Sequence, residues 1–139
     1  MKTILRIVER AWGFRPTLSV KIENPPYMAL VIEATPELGP LNLPALSVAH
    51  YGEQNGDLMR DPEMCLELSK PPLSGLELSV YHFRNDYMGV EQYSRYREVD
   101  NYIVVPNLFE EHSSFARLWD KNLRSQGFFE AFTDKSIRG

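Results

Sequence analysis

A chain of 139 residues with 43% apolar and 24% charged side chains can bury a core as one domain, 1–139, and its single cysteine, Cys65, excludes an internal disulfide. A net charge of −4, with no surplus of Lys and Arg, argues against a nucleic-acid partner. No apolar run approaches the roughly 20 residues that cross a bilayer, and "MKTILRIVERAWGFR" lacks a signal-peptide cleavage site, so the expectation is no membrane contact and a cytoplasmic, reducing location.

Residues 2–12 place Ile4, Ile7, Val8 and Ala11 at helical spacing, with Gly13 as the stop. "TLSVKIE" alternates Leu18, Val20 and Ile22 against Ser19, Lys21 and Glu23, as a half-buried strand does. "NPPY" breaks the ladder, because proline has no N–H to donate. "MALVIEA" is apolar on both faces and reads as a central strand. "TPELGPLNLPA" reads as an irregular connection. "LSVAHY" and "EMCLELS" are the third and fourth strands, separated by a polar loop over residues 53–63. "LELSVYHF" is the fifth strand, "RNDYMG" a turn, and "VEQYSRYREV" the sixth strand. The paired Arg95 and Arg97 read as a solvated strand face. Ser113 or Ser114 then caps a helix carrying Phe115, Leu118, Trp119 and Leu123, with Gly127 after its end. The class is α+β: one antiparallel sheet of about six strands in meander order over about 18–98, covered on one face by an N-terminal and a C-terminal helix, the latter region spanning about 107–132.

Two polar segments are candidates for a site. His50, Glu53, Asn55, Asp57, Asp61 and Glu63 are six ligands or acid–base groups within fourteen residues. Arg84, Asn85, Asp86, Glu91 and Gln92 flank the fifth connection. In a meander both connections follow odd-numbered strands and emerge at one end of the sheet, where Arg84 can pair with Asp57, Asp61 or Glu63. The bland account of the first segment is an ordered hairpin: Asn55-Gly56 is a turn dipeptide and Asp61-Pro62 starts a turn. The spacing Glu53-x-Asn55-x-Asp57 departs from a calcium loop in its first ligand and in the position of Gly56. Cys65 reads as a buried, inert thiol, His82 as a packed histidine, and His112 as a surface or capping residue. No phosphate-cradling glycine loop and no G-x-S-x-G is present; no cofactor and no dedicated metal set is assigned.

The segments "LSVAHYGEQNGDLMRDPEM" (46–64) and "YHFRNDYMGVEQ" (81–92), with "ENPPYMALVIE" (23–33) ahead of them, resemble a family of small uncharacterised bacterial domains with a domain-of-unknown-function label. The signature is SVAHYxEQNGDLMxDPEM followed by RNDYxGVEQ, over about residues 18–98. Where the family usually carries a second Tyr after "HY", this chain has Gly52. The resemblance implies an accessory protein of phages, prophages or conjugative elements, and it brings no catalytic residue or ligand.

Three functions compete. The leading one is a non-catalytic module that presents residues 53–63 and 84–92 to a protein partner, acidic groups there mimicking phosphates toward a DNA-binding host protein. The alternative is a metal-dependent hydrolase built on His50, Asp57, Asp61, Glu63 and Glu91. The third is a homodimer paired through an exposed sheet edge or face.

Overall fold

The computed structural model describes residues 1–139. In chain order the elements are α1 (Lys2–Arg10), β1 (Ser19–Asn24), β2 (Tyr27–Ala34), β3 (Ala45–Gln54), β4 (Asp57–Ser69), β5 (Glu77–Asn85), β6 (Val90–Tyr93), β7 (Arg95–Glu98), β8 (Asn101–Val104), α2 (Pro106–Ser125), α3 (Phe128–Ala131) and a 3₁₀ turn over Asp134–Ser136. Strands β1 to β6 form one antiparallel sheet in sequence order, the expected meander, while β7 and β8 pair separately as a two-stranded ribbon. No helix is long and apolar enough to cross a membrane.

Strand alternation builds the core directly. Directly opposed residues share a face. Val20 opposes Ile32, Ile32 opposes Val48, and Val48 opposes Met64; one row over, Leu46 opposes Leu66 and Leu66 opposes Val80. These rows are buried against Ile4, Ile7 and Val8 of α1, Ala116, Trp119 and Leu123 of α2, and Phe128 of α3. Each such aliphatic side chain contributes about 1.5–3 kcal/mol by leaving water. The helices are also joined by a polar contact. Thr3 and Ile4, in the first turn of α1, donate their free N–H groups to the two carboxylate oxygens of Asp120 at 3.1 and 3.2 Å.

Three expectations are corrected. Residues 53–63 are not a loop: β3 and β4 run on as a long hairpin, and only Asn55 and Gly56 turn, at φ 53° and 83°. Two consecutive left-handed residues match the strand twist, so the charged residues on either side can stay in the ladder. The sixth strand is broken at Ser94 into β6 and β7, and β8 over 101–104 has no counterpart in the expected elements. The C-terminal helix starts at Pro106, not at Ser113 or Ser114, because a proline at its first turn lacks only an N–H that would be unpaired there anyway. Gly127 follows that helix at φ 85°, as its position suggested.

The break at Ser94 has a specific cause. Strand β6 pairs β5 only over His82–Asn85, so no strand of the sheet lies beside Ser79 and Val80 on that side. Arg95 supplies the donors instead: Nε to Val80 O at 3.0 Å and Nη2 to Ser79 O at 2.9 Å. Its Nη1 reaches Glu67 Oε1 at 2.8 Å, the pair being only 3% and 1% exposed. Glu67 Oε2 in turn accepts the Leu41 N–H at 2.7 Å. A buried ion pair therefore fastens the 35–44 connection and the β7–β8 ribbon to the sheet. Arg95 is a buried tether, not a solvated strand residue. Gly39 is required in that connection because a Cβ there would strike the Glu67 side chain.

Candidate functional site

The face of the sheet opposite the helices carries the chemistry, and register places it. One row reads Glu33, Ser47, Cys65, His82 and Tyr93 from β2 to β6; the next reads Val31, Ala49, Glu63, Arg84 and Glu91. A bulge opposite Cys65 and Leu66 takes Tyr81 out of register, so His82 comes to face Cys65 while Phe83 turns to the helices. Next to these rows, the 37–42 connection and β6–β7 enclose a cleft of about 280 Å³ lined by Tyr81, Tyr93, Tyr96 and Arg97 among others.

At one end of this face the β3–β4 and β5–β6 hairpins are tied together. Arg60 N–H donates to Asp86 Oδ2 at 2.8 Å, Arg84 Nε donates to Asp86 Oδ1 at 2.7 Å, and the Asp86 N–H donates to Arg60 O at 2.9 Å. The Arg60 backbone donor, then the Arg84 guanidinium, hold the Asp86 carboxyl below the usual range. Arg60 also pairs with Glu63 at 3.4 Å, and Glu63 accepts the Ser47 hydroxyl at 2.8 Å. Asn85 donates to Asp61 Oδ1 at 3.0 Å and accepts the Met88 N–H at 3.1 Å, closing the β5–β6 turn. Tyr87 from that turn fills the space where Gly52 has no side chain.

The predicted residues therefore divide. Arg84, Asn85, Asp86, Asp61 and Glu63 meet at the junction of the two hairpins. The expected partners of Arg84 change: its ion pair is with Asp86, and Glu63 pairs with Arg60. Glu53, Asn55 and Asp57 stand exposed at the tip of the β3–β4 hairpin. His50 is on the other side of the sheet, packed against Trp119 and Phe128 with ring centroids 5.6 and 5.5 Å away, and burial pushes its pKa down. Gln92 is held by His112 at 3.0 Å. His112 itself is buried within α2 against Phe83, not a surface or capping residue, and burial lowers its pKa too. The five residues of the hydrolase reading thus point in different directions: His50 inward, Asp57 at the tip, Asp61 onto Asn85, Glu63 and Glu91 on the open face.

Sequence reasoning left out one grouping. Glu63, Cys65 and His82 bring one potential ligand atom each to within 4.8 Å of one another. His82 is 5% exposed; its Nε2 lies 3.0 Å from Glu91 Oε1, which holds the Glu91 carboxyl below its usual pKa, while its Nδ1 is buried with no partner. Burial, then the charge of Glu63, pushes the Cys65 thiol up to about 12. The alternation of β4 puts Glu63 and Cys65 on one face, but only strand pairing adds His82.

An α+β protein built on a six-stranded antiparallel meander, helices on one face and a polar, titratable face on the other, is what these observations define. The family described as Domain of unknown function (DUF6908) matches residues 2–129, and the chain belongs to it. The match extends the resemblance of residues 18–98 across α1, α2 and half of α3. No curated protein and no solved structure matches the chain.

Proposed function

We propose that this protein is a non-catalytic binding module that presents the paired ends of its β3–β4 and β5–β6 hairpins to a protein partner. The supporting observation is the way the charges are used. Arg60, Glu63, Arg84 and Asp86 neutralise one another at the base of the hairpins, so they make a rigid platform. What remains free at the tips is acidic and apolar: Glu53 and Asp57 are exposed with Leu58 on one hairpin, Tyr87 and Met88 on the other. An exposed apolar group rimmed by charge on a fixed backbone favours recognition of a protein with a basic rim around an apolar spot. A basic, DNA-binding host protein has that chemistry, and the family resemblance suggests a setting: an accessory protein of mobile DNA acting in the cytoplasm of a newly entered cell. The same net charge disfavours direct contact with nucleic acid.

The test is a charge reversal confined to the tips. Glu53→Lys with Asp57→Lys leaves the hairpin junction intact. Immobilised wild-type protein is expected to retain a specific protein from a host lysate, and the double variant to lose it while melting at the same temperature. Equal recovery by both proteins would remove the reading.

A further inference from the structure

We propose that Glu63, Cys65 and His82 form a binding site for a thiophilic divalent cation of the zinc class, on the open face of the sheet. The site shares Glu63 with the hairpin junction but includes none of the tip residues. Three lines on the molecule lead to it.

First, the donor set is coherent. A carboxylate oxygen, a thiolate sulfur and an imidazole nitrogen are the ligands that zinc takes, and three of them leave a fourth position for water. The three atoms lie within 4.8 Å of one another. A tetrahedral zinc site sets such atoms about 3.4–3.7 Å apart, as follows from metal–ligand lengths near 2.0–2.3 Å. Closing the site therefore takes side-chain movements that draw the atoms together by about an ångström. Strand pairing fixes the backbone on both sides, since Cys65 stands directly opposite His82 and Glu63 is one row along.

Second, His82 presents an unsatisfied lone pair. Glu91 is a carboxylate, so the nitrogen that faces it, Nε2 at 3.0 Å, must carry the hydrogen. Nδ1 is then an unprotonated acceptor. It is buried in a side chain more than nine-tenths removed from solvent, and no donor reaches it. Buried acceptors are rarely left without a partner. A metal ion bound at Nδ1 would satisfy it.

Third, the second layer of contacts matches. A ligating histidine usually gives its other N–H to a carboxylate, and Glu91 is in that place. A ligating carboxylate is usually hydrogen-bonded in turn, and Glu63 accepts the Ser47 hydroxyl at 2.8 Å. Glu91 lies at the rim, its side chain 47% exposed. On binding, the Cys65 proton leaves to solvent as the sulfur–metal bond forms; no electrons are exchanged.

Cobalt(II) is the probe, added alone to the full chain and then displaced with zinc. One equivalent is expected to give a sulfur-to-cobalt charge-transfer band in the near ultraviolet and tetrahedral d–d bands in the visible, all removed by zinc. Cys65→Ser abolishes the charge-transfer band. Glu91→Gln, a change at the rim that leaves the three ligands in place, keeps the band at saturation but weakens affinity about 10–100-fold. His112→Gln, on the opposite face, leaves the titration unchanged. A wild-type titration without the sulfur band overturns the proposal. So does a Cys65→Ser protein that binds as tightly as wild type, or an unaltered affinity in Glu91→Gln.

Discussion

Replacing Arg95 by methionine removes the tether between the sheet and the layer beyond it, and the cost can be worked from its contacts. Arg95 is 3% exposed and makes four side-chain hydrogen bonds: to Val80 O, Ser79 O, Glu67 Oε1 and the Tyr102 hydroxyl. Methionine fills much of the same volume but donates nothing. Two carbonyls lose their donors, at about 1–3 kcal/mol for each group left buried and unpaired. Glu67 stays buried as a carboxylate with only the Leu41 and Leu43 N–H groups for company. Removing one partner of a buried pair costs about 3–5 kcal/mol, a large part of the roughly 5–15 kcal/mol that holds a domain folded. Urea unfolding should therefore show Arg95→Met with a much lower midpoint. Arg95→Met combined with Glu67→Leu should cost less than the sum of the two single changes, since the double variant leaves no uncompensated charge. If Arg95→Met lost less than about 1 kcal/mol, its guanidinium would be behaving as a surface group, and the tether would be wrong.

Two further outcomes follow from single groups. Asp86 has a depressed pKa in the folded state, so its contribution is present above the unfolded carboxylate value and is lost as pH falls through the folded one. Asp86→Asn should lower stability at pH 7 and flatten the acid limb of the stability–pH curve; an unchanged limb would show that the junction does not stabilise the ionised form. Val99, 89% exposed in the β7–β8 turn, holds φ 58°, a region that costs a β-branched residue about 1–2 kcal/mol. Val99→Asn should raise the unfolding midpoint in urea, and no gain would mean the turn relaxes without strain.

The parts of the fold readable in sequence are those governed by alternation. Val20 and Ile22 in β1, and Met64 and Leu66 in β4, announce their face by alternation, and the short connections announce a meander. The parts that escape are governed by long-range contacts. Arg95 looks like half of a solvated pair because nothing local marks the carbonyls of residues 79 and 80 that its guanidinium reaches. The run of charges over 53–63 looks like a loop because local composition says nothing of a ladder that continues to Gln54 and Asp57. Convergence of the two polar segments was legible from strand parity. The partners within it were not, since the bulge opposite Cys65 and the cross-strand contact of Asp86 arise only on pairing. His50 read as a neighbour of Glu53 because the two are close in sequence, yet alternation from Leu46 and Val48 places it on the helix side, opposite Leu30. His82 and Cys65, distant in sequence, are joined by register alone.

The central claim is that the two hairpin tips are the recognition surface. A photo-crosslinking residue placed in turn at Leu58, at Met88 and at Leu73 in the β4–β5 connection tests it directly, since all three positions are open to solvent but only the first two lie on the tips. In the host lysate the account predicts the same single adduct from positions 58 and 88 and none from 73. An adduct from position 73 with none from the tips would contradict it.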